Sequence, residues 1–133
     1  MKVKHGLRGI IAVNKSGYIG LNGQLPWKSS EDLKHFKELT MGCNLLVGYN
    51  TSKTLPDLIG REIFIDDGSK EINCDEMDWC IGGQRTYEKY CHLFTEIHIS
   101  TIDDTTIGDV RYPNLSNLNP NCKFYYYSFG IDK

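Results

Sequence analysis

The chain has 133 residues, of which 40% are hydrophobic, 24% charged and 11% aromatic, and this length and composition predict one folded, soluble domain. Its net charge is −2 and its Lys and Arg residues are scattered singly, so the sequence lacks the basic surface that nucleic-acid binding needs. No apolar run approaches the length that spans a bilayer, and we expect no membrane partner.

The five cysteines indicate a reducing compartment. Their number is odd, and no pair has the C-x-x-C spacing of a zinc site or a redox dithiol, which predicts free thiols and no bound metal. The apolar run at residues 7–13 is too short for the hydrophobic part of a signal peptide and contains Arg8 and Gly9. A cytoplasmic location fits both observations.

Short apolar runs alternate with helical spacings along the chain. A strand is predicted at residues 7–13, and the turn formers of residues 14–27 exclude a regular element there. An amphipathic helix then begins at Ser29 or Ser30 and ends near Gly42. The later elements are strands at 43–47, 63–65, 79–81 and 96–101, a short helix capped by Asn50 or Thr51, a helix at 84–91, and β segments near 110–112 and 123–129.

This alternation predicts an α/β fold with a mostly parallel central sheet and helices on both of its faces. The β-rich final segments favour an antiparallel C-terminal edge. Within the first strand, Gly9 indicates a close backbone approach. The loop at residues 14–25 carries much apolar surface for a solvent loop, so we expect it to cover something.

Asp32 is the first candidate for chemistry. It lies in the first turn of the predicted helix, beside Leu33 and one turn before Phe36, so its carboxylate adjoins the apolar stripe. An ionised Asp in a partly dry cleft could make a bidentate contact with a planar N–H/N–H edge of a heterocycle. The alternative is that Asp32 only stabilises the start of the helix, and spacing alone favours this alternative.

Two turns between a strand and a helix are candidates for phosphate binding. Gly82 and Gly83 form the first, where backbone N–H groups suit a phosphate or pyrophosphate. Gly48, Asn50 and Thr51 form the second. The signal is weak on its own, because most glycine pairs are simply turns.

Four polar side chains are weaker candidates. Arg61 could hold a carboxylate with its planar guanidinium, although a surface charge is the simpler explanation. Tyr87 fits a core aromatic residue, and Ser100 fits a tolerated hydroxyl in an apolar strand. Lys37, on the helix of Asp32, is either solvated or ligand-binding.

Taken together and in order, these segments resemble dihydrofolate reductase. The similarity runs from residue 10 to Pro113, through IIAVNKSGYIGLNGQLPWKSSEDLKHFKELT, LLVGYNTSKTLP, LIGREIFI, CIGGQRTYEKY, EIHISTID and GDVRYP. Its most specific parts are G-x-x-x-x-L-P-W with an acid five residues after the Trp, and the later I-G-G-x-x-x-Y. The resemblance implies a dihydrofolate-reductase-like three-layer fold over residues 1–133, and it favours a functional interpretation of Asp32.

The resemblance also implies the reaction, a hydride transfer from C4 of a nicotinamide cofactor to C6 of dihydrofolate, with NADPH as the cofactor and NADH as the second candidate. Asp32 would hold the 2-amino group and N3 of the pterin and promote protonation at N5 through water, and Arg61 would pair with the α-carboxylate of the glutamate tail. The other catalytic residues would be Leu25, Trp27 and Tyr87. The other substrate-binding residues would be Ile10, Ile11, Leu33, Phe36, Lys37, Leu55, Leu58, Ile81 and Ser100. The cofactor-binding residues would be Ala12, Ile19, Gly20, Gly23, Gln24, Gly48, Tyr49, Asn50, Thr51, Asp66, Asp67, Gly82, Gly83, Gln84, Arg85 and Thr86.

Three further expectations follow from the resemblance. The Gly82–Gly83 bond would be cis, residues 14–25 would form a lid over the reacting rings, and the chain would act as a monomer.

The chain departs from the family around the adenosine half of the cofactor. Only 19 residues separate Arg61 from Ile81, so a helix and a strand of this part are expected to be missing. Tyr49 replaces a basic residue that commonly meets the 2′-phosphate, while Asp66 and Asp67 would repel a phosphate or accept a bond from a ribose hydroxyl. We therefore expect a weakened preference for NADPH. Three basic residues could supply the missing charge: Lys53, Lys70 and Arg85.

Two other functions remain open. One is the reduction of another small heterocycle on the same fold, as in the pyrimidine reductase of riboflavin synthesis, which lacks the P-W-x-x-x-x-D segment. The other is a non-catalytic pterin-binding or structural protein that has lost the hydride donor. The retained Gly82–Gly83 turn, Thr51 and the lid favour a working cofactor site.

Overall fold

The fold is seen in a computed structural model, which describes residues 5–133. Its elements in chain order are the strands β1 (Leu7–Asn14) and β2 (Tyr18–Gly20), the helix α1 (Ser30–Thr40), β3 (Asn44–Gly48), α2 (Tyr49–Ser52), β4 (Glu62–Asp66), β5 (Trp79–Cys80), α3 (Gln84–Tyr90), β6 (Phe94–Ile102), β7 (Val110–Arg111) and β8 (Lys123–Phe129). Short 3₁₀ helices occupy Cys74–Glu76 and Cys91–Leu93. Every predicted strand and helix is present within a few residues of its expected bounds.

Two local predictions were wrong. The loop at residues 14–27 does contain a regular element, because β2 finds an antiparallel partner in the distant β7 and buries Tyr18 against it. The short helix α2 begins at Tyr49, and Gly48 takes the capping position expected for Asn50 or Thr51.

Six strands form the central sheet in the order β4-β3-β5-β1-β6-β8, and all neighbouring pairs are parallel. The predicted mostly parallel sheet is thus confirmed. Antiparallel pairing occurs in a separate two-stranded sheet of β2 and β7, whereas the final strand β8 runs parallel to β6. The connection explains this direction, because residues 103–122 carry the chain back to the start of β6, and β8 therefore begins beside Glu96.

Helices cover both faces of the sheet, as predicted. On one face, Phe36 and Leu39 of α1 pack against Ile10, Leu45 and Trp79. A second cluster occupies the opposite face beneath α3; its members include Leu7, Ile11, Leu46, Tyr87, Tyr90 and Phe94. Successive strand residues point to opposite faces, which is why Ile10 and Ile11 belong to different clusters.

The backbone at Gly9 of β1 is closely approached by a side chain, the ring of Phe94, and not by another stretch of backbone. A Cβ atom at this position would lie 2.4 Å from a ring carbon of Phe94, so β1 can pass Phe94 only without a side chain there.

Neither a membrane-spanning helix nor a metal site is found in the described part of the chain. No helix within residues 5–133 is long and apolar enough to cross a bilayer. The same residues contain no group of three or more His, Cys, Asp or Glu side chains placed to hold a metal ion.

Candidate active site

The carboxylate of Asp32 is buried at the start of α1. Only 6% of the residue is exposed, and this burial raises the pKa of the carboxyl to about 6, while a hydrogen bond from Ser100 offsets part of the rise. The hydroxyl of Ser29 caps the helix by accepting a bond from the Asp32 backbone N–H at 3.2 Å. The side chain of Asp32 is therefore free of the capping role and interacts with Ser100 on β6.

The sheet beneath Asp32 presents small and apolar residues. Ser100 pairs in register with Ala12 of β1, and Ile10 lies two residues earlier on the same face. Trp27 is buried, and its Nε1 has no hydrogen-bond acceptor within residues 5–133.

An apolar surface extends along α1 toward Arg61. Phe36, Leu58 and Ile81 pack against the cluster that contains Ile10. The guanidinium of Arg61 lies 5.9 Å from the centre of the Phe36 ring. These predicted substrate-binding residues are thus brought together on one face of the sheet.

Arg61 is fixed in place by two donated bonds. Its Nη1 donates to the hydroxyl of Thr40 at 3.2 Å, and its Nε donates to the carbonyl of Ile59 at 3.3 Å. Sequence reasoning did not single out Thr40, because only the folded chain brings it next to Arg61.

The remaining predicted substrate residues differ in exposure. Leu25 and Leu33 are 44% and 54% exposed. Leu55 is half-buried, and Lys37 is exposed.

One side chain lies on the wrong face for its predicted role. Ile11 belongs to the core beneath α3 and is 1% exposed, so its side chain cannot line a cleft on the α1 face. The alternation of side chains along β1 is the reason.

Tyr87 also belongs to the core beneath α3. Its hydroxyl donates to the carbonyl of Ile10 at 2.6 Å, and burial raises the pKa of the phenol well above its usual value. The side chain is therefore neutral and bound to β1, and its catalytic role stays a prediction.

The two glycine turns predicted for the cofactor interlock. The Gly48 N–H donates to the carbonyl of Gly82 at 2.7 Å, and the Gly82–Gly83 bond is cis, as expected. Side-chain oxygens fill the spaces at both turns: a Cβ at Gly48 would lie 2.3 Å from the Thr86 hydroxyl oxygen, and one at Gly83 would lie 2.7 Å from that of Thr51. The turns after β3 and β5 are thus adjacent at the carboxyl edge of the sheet.

This arrangement fits a pyrophosphate. The first backbone N–H groups of a helix have no intrahelical acceptor, so those of Gln84 and Arg85 are available to an anion near the Thr51 hydroxyl. The absence of side chains at Gly82 and Gly83 lets a ligand approach the main chain.

The turn after β4 lies beside the turn after β3, since Gly48 and Asp66 are paired in register. The Asp66 carboxylate accepts bonds from Lys89 at 2.7 Å and from the Tyr90 hydroxyl at 2.5 Å. Burial alone would raise the pKa of Asp66, but these two bonds hold it below its usual value. Asp66 is therefore already paired, and its contact with a cofactor stays a prediction.

Asp67 and Tyr49 are both exposed near this turn. A hydrogen bond from the Ser69 side chain lowers the pKa of Asp67, which keeps the carboxylate charged. The ammonium of Lys53 lies 4.3 Å from the centre of the Tyr49 ring. Lys53, one of the three basic residues that could supply the missing charge, is thus held beside Tyr49.

A cavity of about 870 Å³ is lined in part by Asp66. Its walls include Lys70, Cys74, Tyr90 and His92. Two residues that were predicted to lie near the adenosine half of the cofactor, Asp66 and Lys70, line it, whereas none of the predicted substrate-binding residues does.

The loop at residues 14–25 is tied down at its far end. The Asn22 N–H donates to the Asp109 carboxylate at 3.0 Å, and the Asp109 N–H donates to the carbonyl of Gly20 at 2.9 Å. The hydroxyl of Thr54 donates to the carbonyl of Gly23. Sequence reasoning did not assign a function to Asp109 or Thr54, because both are far from the loop along the chain.

Other predicted residues of the loop have different surroundings. Ile19 is half-buried against the core beneath α3, whereas Gln24 is exposed. Their contact with a cofactor stays a prediction.

These features define a class of protein. A buried carboxylate, an adjacent apolar surface and two interlocked glycine turns at the carboxyl edge of a parallel sheet are typical of an α/β enzyme that binds a small heterocycle next to a phosphate-bearing ligand.

Comparison with known proteins narrows the class to a family. The family model of dihydrofolate reductase matches residues 6–77, more than half of the chain. Dihydrofolate reductase type 9 of Escherichia coli is 49% identical over 59 residues, which cover 44% of this chain and 33% of that protein. The dihydrofolate reductase of Mycobacterium leprae is 28% identical over 116 residues, 71% of this chain and 70% of that protein. Dihydrofolate reductase type 1 of Escherichia coli is 28% identical over 132 residues, 84% of each.

A solved structure has the same fold. Dihydrofolate reductase from Enterococcus faecalis, complexed with NADP(H) and RAB-propyl, superposes with a TM-score of 0.72 at 23% identity, over 87% of this chain and 82% of that one. The chain belongs to the dihydrofolate reductase family. This membership confirms the predicted resemblance, the fold and the enzyme class, an NAD(P)H-dependent oxidoreductase.

Proposed function

We propose that the chain reduces 7,8-dihydrofolate to 5,6,7,8-tetrahydrofolate with a nicotinamide cofactor, NADPH in preference to NADH, and that it does so as a cytoplasmic monomer. The observation that carries the proposal is the carboxylate of Asp32, which is buried, bound to Ser100 and free of its helix cap.

Asp32 has the chemistry that pterin recognition needs. A carboxylate accepts two parallel N–H bonds from an amidine-like edge, and such a contact is charge-assisted. Its pKa of about 6 lies near neutrality, so the group can stay ionised at pH 7 and still favour a proton on the bound heterocycle. Asp32 would thereby orient the pterin and promote protonation at N5, with water as the proton carrier.

The surrounding residues position the rest of the substrate. The apolar surface of Phe36, Leu58 and Ile81 would hold the aromatic part of dihydrofolate, and Arg61 would bind a tail carboxylate with its planar fork. The loop at residues 14–25 would cover the rings and exclude water.

The interlocked glycine turns would hold the cofactor. Thr51 and the backbone N–H groups that follow Gly83 would bind its pyrophosphate, and Ala12 would lie beside the nicotinamide. When bound, the nicotinamide supplies the hydride. The protein contributes orientation of the two rings and one carboxylate with a raised pKa.

The preference for NADPH over NADH is expected to be small, but it should not vanish. Lys53 beside Tyr49 keeps one cation near the adenosine end, and the pairing of Asp66 with Lys89 removes one of the two repelling charges. Equilibrium binding and kcat/KM for both cofactors test this expectation. A preference for NADPH of more than about a hundredfold would contradict it.

An assay of cofactor oxidation with dihydrofolate tests the proposed function. Asp32→Asn should lower kcat/KM by about a hundredfold or more, because general acid–base groups contribute on that scale. Glu31→Gln is the matched control, since Glu31 is the exposed neighbouring carboxylate, and its activity should equal that of the wild type.

Each other outcome has a defined meaning. Wild-type protein that binds pterin without oxidising either cofactor would be a pterin-binding protein. Oxidation with another heterocycle but not with dihydrofolate would indicate a different reductase. Equal rates for the wild type and Asp32→Asn would show that Asp32 is not the functional carboxylate.

A further inference from the structure

Residues 130–132 fold back onto the start of α1. The Ser29 hydroxyl donates to the carbonyl of Gly130 at 2.6 Å. The Asp132 carboxylate accepts bonds from the Ser30 backbone N–H at 2.9 Å and from the Ser30 hydroxyl at 2.8 Å. The Asp132 N–H in turn donates to the carbonyl of Lys28 at 2.8 Å. Four hydrogen bonds therefore join this segment to three consecutive residues before Asp32.

One of these bonds is linked to Asp32 through the Ser29 hydroxyl. The Ser29 hydroxyl oxygen accepts from the Asp32 N–H and donates to Gly130, and Ser29 is only 2% exposed. A chain of hydrogen bonds thus runs from the backbone of Asp32 to residue 130.

The same contacts settle which groups cap α1. The first N–H groups of a helix need acceptors from outside the helix, and Asp is among the best side chains for this purpose. Here the Ser29 hydroxyl accepts a hydrogen bond from the Asp32 N–H, and the Asp132 carboxylate accepts one from the Ser30 N–H. With these acceptors in place, the Asp32 carboxylate can interact with Ser100 and a ligand.

We propose that Gly130 and Asp132 are positioning residues that hold the start of α1 so that the Asp32 carboxylate meets the pterin. The proposal rests on the proposed function and adds to it a segment that touches neither substrate nor cofactor. Asp132 acts through Ser30, and Gly130 acts through Ser29.

Equilibrium binding of dihydrofolate without cofactor, followed by Trp fluorescence from pH 5 to pH 9, tests the proposal. Asp132→Ala should raise the dissociation constant about fivefold, since the loss of a helix cap has effects of this size. The pH midpoint of binding should also fall, because a looser first turn exposes the Asp32 carboxyl to water. Asp132→Asn keeps one acceptor and should restore most of the affinity.

Glu31→Ala is the control for charge. It removes an exposed carboxylate from the same helical turn, and Glu31 forms no side-chain hydrogen bond or ion pair among those seen in residues 5–133. Its affinity and midpoint should match the wild type. Asp132→Ala with wild-type affinity and midpoint, or Glu31→Ala with the same losses as Asp132→Ala, would overturn the proposal.

Folding and function are separated by two further measurements. Circular dichroism shows whether Asp132→Ala is folded. If it is not, the proposal is tested by the dissociation constants and pH midpoints of Asp132→Asn and Glu31→Ala. A wild-type protein that neither binds nor reduces dihydrofolate would instead contradict the proposed function.

Discussion

Asp32 occupies a position where its charge destabilises the fold. The folded protein holds the carboxyl pKa at about 6, compared with an ordinary value of 3.8, so the folded state binds the proton more tightly than the unfolded state. The resulting stabilisation is complete below about pH 4 and is lost as the pH rises through about 6.

Asp32→Asn should therefore stabilise the protein at neutral pH while it removes activity. Because one pKa unit corresponds to about 1.4 kcal/mol, the gain in the free energy of unfolding should reach at most about 3 kcal/mol at pH 7.5 and about half of that at pH 5. Urea denaturation at both values measures it. A gain that does not depend on pH would show that the pKa of Asp32 is not raised.

Ser100 opposes the effect of burial on Asp32. Its hydrogen bond lowers the pKa of the carboxyl, so Ser100→Ala should move the titration of Asp32 to higher pH. NMR of the labelled Asp carboxyl carbon follows this directly. Ser128→Ala, at an exposed position on β8, is the control and should leave the titration unchanged.

At the scale of elements, the loop at residues 14–25 depends on the side chain of Asn14. Its Nδ2 donates to Asp104 at 2.9 Å and to the Thr106 carbonyl at 2.7 Å, and its Oδ1 accepts from the N–H groups of Ser16 and Tyr18. Asn14 is 3% exposed, so these bonds form away from water.

Asn14→Ala should destabilise the fold by about 2–3 kcal/mol, because it leaves buried donors and acceptors without partners. The amides of Ser16 and Tyr18 should exchange hydrogen faster, since both lose their acceptor. Urea denaturation and amide exchange measure the two effects. Wild-type protection at both amides would show that β2 is held by its pairing with β7 alone.

Local sequence signals predicted the elements well where the structure depends on neighbours in the chain. Ser29 was correctly expected near the start of α1, and the bounds of β8 matched. β2 was missed because its partner, β7, lies about ninety residues further along. The direction of β8 was missed because the path of residues 103–122 determines it.

In the candidate site, too, local features were predicted and features that depend on distant residues were missed. Asp32 and the glycine turns could be named as candidates because their residue types occur in the motifs that carry the family resemblance. Thr40, Lys89, Asp109 and Asp132 were not found, since each acts through a partner that is distant in sequence. Ile11 was assigned to the cleft because the family resemblance implied it, and only the pleat of β1 shows that it faces away.

At the scale of the whole molecule, two cores meet across β1. Gly9 lets this strand pass the ring of Phe94, which a Cβ would approach to 2.4 Å. Gly9→Ala should cost about 1–3 kcal/mol of stability, as overpacking typically does. Thermal or urea denaturation measures the loss.

A second change checks this explanation. Gly9→Ala combined with Phe94→Leu should be more stable than the sum of the two single effects, because the smaller side chain makes room. Gly130→Ala is a control for the loss of a glycine, since a Cβ there would meet nothing within 4 Å. Additive effects of Gly9→Ala and Phe94→Leu would contradict the steric account.

The strand order has a consequence for synthesis on the ribosome. β1 is synthesised well before its sheet partners, β5 and β6, which begin at Trp79 and Phe94. Chains are synthesised at about 5–20 residues per second. The apolar residues of β1 therefore remain unpaired for several seconds before the flanking strands are made. Non-local parallel pairing is slow and leaves such segments open to aggregation. Among the described strands of the central sheet, β1 is therefore the one that a nascent chain leaves longest without a partner.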